Sequence, residues 1–195
     1  MNTKRIVSLF ASLSLVLSMS LGLTGCGDKA AQDDNQGSTD GEGTKYTVGI
    51  CQLVQHEALD AATQGFIDAL NEALPGQVKI EEKNASGDSN SCATIVNGFV
   101  SKGVDLIMAN ATNAVKAARE ATSDIPVVGT SVTDYVFSGL VASNEAPGAN
   151  VTGASDMNPV NVQVQLMKTL CPEVKTVGIV INSGEENSAI QAEEA

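Results

Sequence analysis

Between Tyr46 and Gly129 the chain alternates between short apolar runs and stretches of helical apolar spacing. Nothing else in it restricts the fold as tightly. Val48-Gly49-Ile50-Cys51 is an apolar run, Gln52–His56 is polar, and Leu59, Ala62, Phe66 and Leu70 then recur along one helical face. That is strand, loop and helix. The unit repeats, with strands predicted at Tyr46–Cys51, Val78–Lys83, Asp105–Ala109 and Ile125–Gly129 and a helix between each pair. The first helix runs from about Glu57 to Leu74 and stops at the breaker pair Pro75-Gly76. The second is capped by Asp88 or Ser89, presents Cys92, Ile95, Val96, Phe99 and Val100, and closes on Lys102-Gly103, a cation followed by glycine. The third is capped by Thr112 and carries Val115, Ala118 and Ala121. Strands joined in this way through helices form βαβ units and a parallel sheet. They are continuously apolar because helices cover both faces. The expected fold class is α/β, with a Rossmann-like parallel-sheet lobe over residues 45–153.

After Gly129 the rhythm changes. Ser131–Phe137 is a polar loop, Gly139-Leu140-Val141 a short apolar piece, and Pro147–Asn150 a turn from which Val151-Thr152-Gly153 leads out. Asn158-Pro159 pairs a capping residue with proline at the first helical position. The helix that follows presents Val162, Leu166 and Leu170 and ends at Cys171-Pro172. Thr176–Ile181 then reads as a strand, Asn182–Asn187 as a polar loop and Ser188 as a helix start. This echoes the strand, loop and helix at Val48–His56, so residues 154–195 are expected to open a second, similar lobe. One strand makes no sheet. The expectation is a C-terminally truncated two-lobe protein, whose half-cleft alone binds a small ligand poorly.

The first 44 residues follow no such pattern. Lys4-Arg5 is a basic region, Ile6–Leu23 is apolar apart from its hydroxyl residues, and Leu23-Thr24-Gly25-Cys26 ends the run. That order reads as a secretory signal over residues 1–25. The Leu-Thr-Gly-Cys ending resembles the lipobox of bacterial lipoproteins. The resemblance implies that Cys26 is lipidated and begins the mature chain, with enough acyl chain for stable anchoring. Gly27–Thr44 is polar, Gly-rich and acidic, and cannot bury enough apolar surface to fold. Residues 26–44 are therefore expected to form a lipidated, flexible tether. The expected location is extracytoplasmic, anchored by lipid to the membrane of the bacterial cell envelope. The formal net charge is −12, and it becomes more negative once Lys4 and Arg5 leave. That balance argues against nucleic acid, whose phosphates call for clustered Lys and Arg.

Three cysteines follow the leader: Cys51, Cys92 and Cys171. An odd number without Cys-x-x-Cys is neither a disulfide framework nor a zinc site. Set on one strand and two helices, they read as buried small hydrophobes, with a disulfide from Cys92 or Cys171 left open.

No catalytic motif is present. The sequence has no G-x-S-x-G and no G-x-x-x-x-G-K-[ST], and its first strand is not followed by G-x-G-x-x-G. His56 is the single histidine, and a Cys51–His56 dyad lacks an orienting third group. No enzyme activity, cofactor or metal is expected. What remains are polar loops at strand ends, where open α/β sheets bind ligands: Gln52–His56, Ala85–Asn90, Asn110–Asn113, Thr130–Asp134 and Asn182–Ser188. Helix N-termini at Thr112-Asn113 and Asn187-Ser188 offer free N–H groups to a carboxylate. Asp134 or Glu186 suits an ammonium. Plain helix capping is the alternative role of Thr112 and Ser188.

The segments VGICQLVQHEALDAATQGF, IPVVGTSVTD, GLVASNEAPGANVTGASDMNP and VGIVINSGEENSAIQ together resemble the ABC-transporter substrate-binding lipoproteins of the tryptophan/tyrosine-binding type. The resemblance covers nearly all of residues 45–195. It implies a type-I periplasmic-binding fold, two Rossmann-like lobes joined by crossovers and closing on a ligand between them. Ser155-Asp156 would lie just past the first crossover. It also implies a membrane partner, the ABC permease of an importer, and an amino-acid ligand, tryptophan or tyrosine. The residues expected at the cleft are Gln52, Leu53 and His56 from the first loop. Thr112, Asn113, Thr130 and Asp134 follow from the middle of the lobe. Asn182, Glu186, Asn187 and Ser188 face them from the second lobe. An aromatic ligand needs an apolar wall; Leu53, Tyr135 and Phe137 are the residues near enough, and the chain has no Trp. The alternative is a lipid-anchored receptor that passes ligand occupancy to a membrane signalling protein. It would share every one of these features.

Overall fold

The computed structural model describes residues 43–195; Cys26, with the leader and nearly all of the tether, lies outside them. The strands are β1 (Tyr46–Gln52), β2 (Val78–Asn84), β3 (Leu106–Asn110), β4 (Val127–Val132) and β5 (Val151–Ser155). The helices are α1 (Glu57–Ala73), α2 (Ser89–Lys102), α3 (Thr112–Ala121), α4 (Val160–Leu170) and α5 (Glu186–Glu194). The strands form one parallel sheet in the order β2-β1-β3-β4-β5. β1 sits between β2 and β3, pairing Val48 with Ile80 on one side and Leu106 on the other. This is the expected α/β lobe.

Alternate residues of the strands serve the two faces. Val48, Ile50 and Met108 pack against Phe66, Ile67 and Leu70 of α1. Cys51, Ile107, Ala109 and Val127 belong to the larger core with Cys92, Val96 and Phe99 of α2 and Ala114, Val115 and Ala118 of α3. Full burial of one such Ile or Phe is worth about 1.5–3 kcal/mol, so this core dominates the lobe's stability. The close packing has one strict requirement. A Cβ on Gly49 would stand 2.6 Å from the Phe99 ring, so a side chain at position 49 displaces α2.

Several local signals act as expected. Asp88 caps α2, accepting the N–H groups of Asn90 and Ser91 at 3.0 and 3.2 Å. Those bonds hold its carboxyl below the usual carboxylate range. Gly103 ends α2 in the left-handed region, φ 67, where glycine carries no Cβ penalty.

Others differ, each for a physical reason. β4 begins at Val127 and runs on to Val132, because Pro126 has no N–H to give a ladder. A fifth strand joins it at Val151–Ser155, where only a chain leading outward is expected; it buries Val151 alone and leaves the rest exposed, so no apolar pattern announces it. Thr112 is not the cap of α3. β3 extends to Asn110, and the turn shrinks to Ala111, which stands at the cap position with φ 94 and ψ 154 and no side-chain cap bond. Pro159, not Asn158, holds the cap position of α4. Thr176–Ile181 forms no strand: among the described residues nothing pairs with it, and Val177, Ile179 and Ile181 are about half exposed. A strand needs a ladder partner. Cys171 is exposed at the end of α4, whereas Cys51 and Cys92 are buried and all three are free. A hydrogen bond with Cys92, together with burial, pushes the Cys51 thiol up.

Candidate functional site

The C-terminal ends of β1, β3 and β4 and the first turn of α3 form one rim of the sheet. Parallel strands place their loops there, and helix N-termini with them. The sequence-predicted residues occupy this rim in two different ways.

Gln52, Leu53 and His56 are used internally. Gln52 is 2% exposed. Its Nε2 donates to the Val54 carbonyl at 2.9 Å and to Asp60 Oδ1 at 2.6 Å, while Oε1 accepts from Thr63 Oγ1 at 2.6 Å. Asn110 continues this network, its Nδ2 donating to the Leu59 carbonyl at 2.8 Å and to Thr63 Oγ1 at 2.9 Å. The network ties the tips of β1 and β3 to α1. Leu53 is in the apolar core. His56 caps α1, its Nδ1 accepting the Ala58 N–H at 3.2 Å.

Thr112 and Asn113 stand at the open N-terminus of α3. The N–H groups of a helix's first turn have no intrahelical partner, and no side chain caps them here. Thr112 is 3% exposed, and its Oγ1 has no hydrogen-bond partner. Asn110 Oδ1, two residues back, is likewise buried without a partner. Buried polar atoms are nearly always paired, so each such orphan calls for an explanation. The one-residue turn at Ala111 sits between them in a sparsely populated backbone region, pinned by its N–H donating to the Thr130 carbonyl at 3.0 Å.

Thr130 is half-buried at the end of β4. Asp134 folds its own loop: Oδ1 accepts the N–H groups of Val136 and Phe137, both at 2.9 Å. Tyr135 is packed between strands, its hydroxyl donating to the Ala154 carbonyl at 3.3 Å and crowding Gly129 and Gly153. Burial pushes its pKa up, so the phenol stays neutral. Of the three residues expected as an apolar wall, Leu53 and Tyr135 are therefore core residues; Phe137 is 58% exposed.

The residues from 182 onward come to the same rim. Asn113 Nδ2 donates to the Gly184 carbonyl at 3.2 Å and to Ser89 Oγ at 3.0 Å. Lys116, one turn into α3, forms an ion pair with Glu186. Gln191 Nε2 donates to Thr133 Oγ1 at 3.2 Å, and Ile190 is buried. Asn182 organises its own loop, accepting the Gly184 N–H at 3.0 Å and donating to Glu185 Oε1 at 2.9 Å. Asn187 and Ser188 are half-buried in the first turn of α5. Ser188 lines a hollow of about 340 Å³ with Val160, Met167, Ile179 and Gln191. A larger, polar hollow of about 660 Å³ lies between α1 and β2, lined by Gln52, Asp60, Gln64, Glu82 and Asn84. Neither is lined by Thr112 or Asn113.

The structure thus brings Thr112, Asn113, Gly184, Glu186 and α5's first turn together, and sets Gln52, Leu53 and His56 apart as support. Asp60, Thr63, Lys116 and Gln191 are rim or supporting positions that the sequence reading did not name, whereas Asn110 and Thr133 fall within strand-end loops that it did. Asp60 and Thr63 had a signal, being polar residues one turn apart at the start of α1 and so able to turn toward β1. Lys116 had none. Among the described residues no group of three or more His, Cys, Asp or Glu could hold a metal ion. The arrangement offers hydrogen-bond donors to a small anion and no nucleophile–base pair.

Comparison with known proteins bears on the family and the fold. Residues 47–195 match the family model described as ABC transporter substrate binding protein. The chain is 41% identical over 198 residues to the tyrosine-binding protein of Clostridioides difficile (strain R20291), covering 98% of this chain and 56% of that protein. It is 40% identical to a solved ABC domain in complex with L-Trp from Streptococcus pneumonia, with TM-score 0.74 over 77% of this chain and 52% of that one. Against the ligand-free, open structure of a substrate binding protein with adhesive properties from Clostridium difficile, identity is 39% and TM-score 0.63, over 76% and 52% of the two chains. The chain spans about half the length of these relatives. The fold is that of the type-I periplasmic binding proteins.

Proposed function

This chain belongs to the ABC transporter substrate-binding proteins, and on that premise we propose that the whole protein captures an aromatic amino acid, tryptophan or tyrosine, for an ABC importer. Proteins of this family work outside the cytoplasm. The observation that carries the proposal is the uncapped N-terminus of α3, with Thr112 Oγ1 buried and unpartnered beside it. A carboxylate placed there would accept the hydroxyl and the free N–H groups of the first turn, aided by the helix dipole. Phe137, exposed on the neighbouring loop, is the aromatic side chain available to a ring. Names of relatives support the ligand class: one is called tyrosine-binding and another was solved with L-Trp, both near 40% identity.

We read residues 154–195 as the start of a second lobe, whose loop at Asn182–Ser188 faces α3 across the ligand. The higher TM-score to the L-Trp complex than to the open, ligand-free relative, at nearly equal identity, supports a closed arrangement of that segment. Closure is then a two-state equilibrium that a ligand touching both sides biases. The closed form is what a membrane permease would receive. In this reading Cys26 carries the lipid that keeps the protein at the membrane, and residues 27–44 give it reach.

Calorimetric titration of the full-length mature protein with tryptophan, tyrosine, leucine, a sugar and a nucleoside tests the reading. Heat is expected with one or both aromatic acids. Binding of leucine or the sugar in their place rejects the ligand class, and silence with all five rejects the receptor role.

A further inference from the structure

Lys116 lies one helical turn beyond Thr112 on α3, and its ammonium is paired with Glu186, the first residue of α5. The two are 70 residues apart in sequence, and their side chains are 36% and 37% exposed. Asn187 and Ser188 follow Glu186 directly. Two further bonds run alongside the pair, from Asn113 Nδ2 to the Gly184 carbonyl at 3.2 Å and from Gln191 Nε2 to Thr133 Oγ1 at 3.2 Å. The same face buries Ile190.

We propose that Lys116 is a positioning residue for ligand capture: it holds Glu186, and through it the first turn of α5, against the N-terminus of α3 in the closed form. The proposal rests on the closed-cleft reading above and assigns to it the contact that keeps the two sides together. Lys116 has a second effect by its charge. Without it, the Glu186 carboxylate would stand unpaired close to the α3 N-terminus and repel an anionic ligand there. Paired, it is neutralised, and it also sits at the N-terminus of α5, where a helix favours negative charge. Glu186 is thereby committed to Lys116 rather than to the ligand's ammonium. Because both groups are more than a third exposed, the pair is screened by salt.

The test uses the full-length protein with L-tryptophan as probe and follows dissociation by stopped flow at low and at high salt. Lys116→Ala should speed dissociation about 3- to 5-fold at low salt, the range a partly exposed ion pair supports, and much less at high salt. Glu186→Gln should have a smaller effect, since it removes the pair without leaving a stray carboxylate. The conservative Lys116→Arg should keep dissociation close to the wild-type rate, since it retains the cation opposite Glu186. The thermal midpoint of the ligand-free protein should not move, whereas a merely structural ion pair would move it. Equal dissociation in wild type and Lys116→Ala, or dissociation of Lys116→Arg as fast as that of Lys116→Ala, overturns the proposal. A second measurement decides the matter even if L-tryptophan is not the ligand. Lys116→Cys with Glu186→Cys, in a Cys171→Ser background because Cys171 is exposed, should be bridged by a short bismaleimide as read by peptide mass, since the gap set by two long paired side chains is too wide for a direct disulfide. Absence of that cross-link, with and without L-tryptophan, overturns the clasp whatever the ligand is. Cross-linking without tryptophan binding rejects only the ligand class.

Discussion

Replacing Ala111 with glycine should stabilise this protein. Ala111 is held at φ 94 and ψ 154, a region that glycine enters freely and residues with a Cβ rarely enter. Such a conformation costs about 1–3 kcal/mol. Against that gain stand two losses. Glycine has more freedom in the unfolded chain, worth about 0.4–1 kcal/mol. Ala111 is also partly buried against the core, and about half of a buried methyl group, roughly 0.4 kcal/mol, goes with it. The net expectation is a gain of about 1 kcal/mol, or about 2–4 °C in the unfolding midpoint of a chain of this size. Urea unfolding followed by circular dichroism measures it, with Ala111→Val as the control. A β-branched residue at this φ should cost more than the alanine does. The strain argument fails if the glycine variant is less stable than wild type, or if valine is tolerated as well as alanine. A stabilised glycine variant with weaker ligand binding would further indicate that the strain serves the rim.

Four other outcomes follow from the geometry. Asn110→Ala should cost about 1–3 kcal/mol, since it removes the donor that joins Thr63 and the Leu59 carbonyl; urea unfolding reads the loss. Gly153→Ala should cost about 1–3 kcal/mol or more by overpacking, because its Cβ would meet the Gly129 carbonyl oxygen and the Tyr135 hydroxyl at 2.1 Å, and calorimetric melting would show it. A thiol reagent such as an aromatic disulfide should label Cys171 at once and Cys51 and Cys92 only on unfolding, as their burial dictates. Asp88→Ala should lower the thermal midpoint at pH 7. The folded-state pKa of Asp88 is depressed, so its contribution is present above the unfolded-state value and fades as pH falls through the folded one. Melting curves of the two forms should therefore converge in acid, and a gap that widens there would contradict the capping role.

The lobe was legible because its signals are local. Asp88, Gly103 and the unbroken apolar run Val48–Cys51 each state their role within a few residues. β5 was not legible, since its pairing with β4 is decided by the backbone and by one buried valine. Thr176–Ile181 has every local sign of a strand, yet pairing is a property of neighbours and not of the run itself. The site divides in the same way. That Thr112 and Asn113 stand at the rim is readable from a strand end followed by a helix. The fate of Gln52, His56 and Asp134 is not, because a polar residue at a strand end serves equally well as ligand donor or as loop fastener. Here Gln52 bonds Asp60 and Thr63, His56 caps α1, and Asp134 turns its own loop. The contact of Lys116 with Glu186 depends on where two distant helices meet, which no local pattern encodes.

In the proposed complex the N-terminus of α3, with Thr112, takes the ligand's carboxylate. Calorimetric titration of the full-length protein with L-tryptophan and with tryptamine isolates this contact, because tryptamine keeps the ring and the ammonium and lacks only the carboxylate. Loss of charge-assisted bonds to the first turn and the hydroxyl should weaken tryptamine by roughly 100-fold relative to L-tryptophan. Equal affinity for the two would contradict the claim.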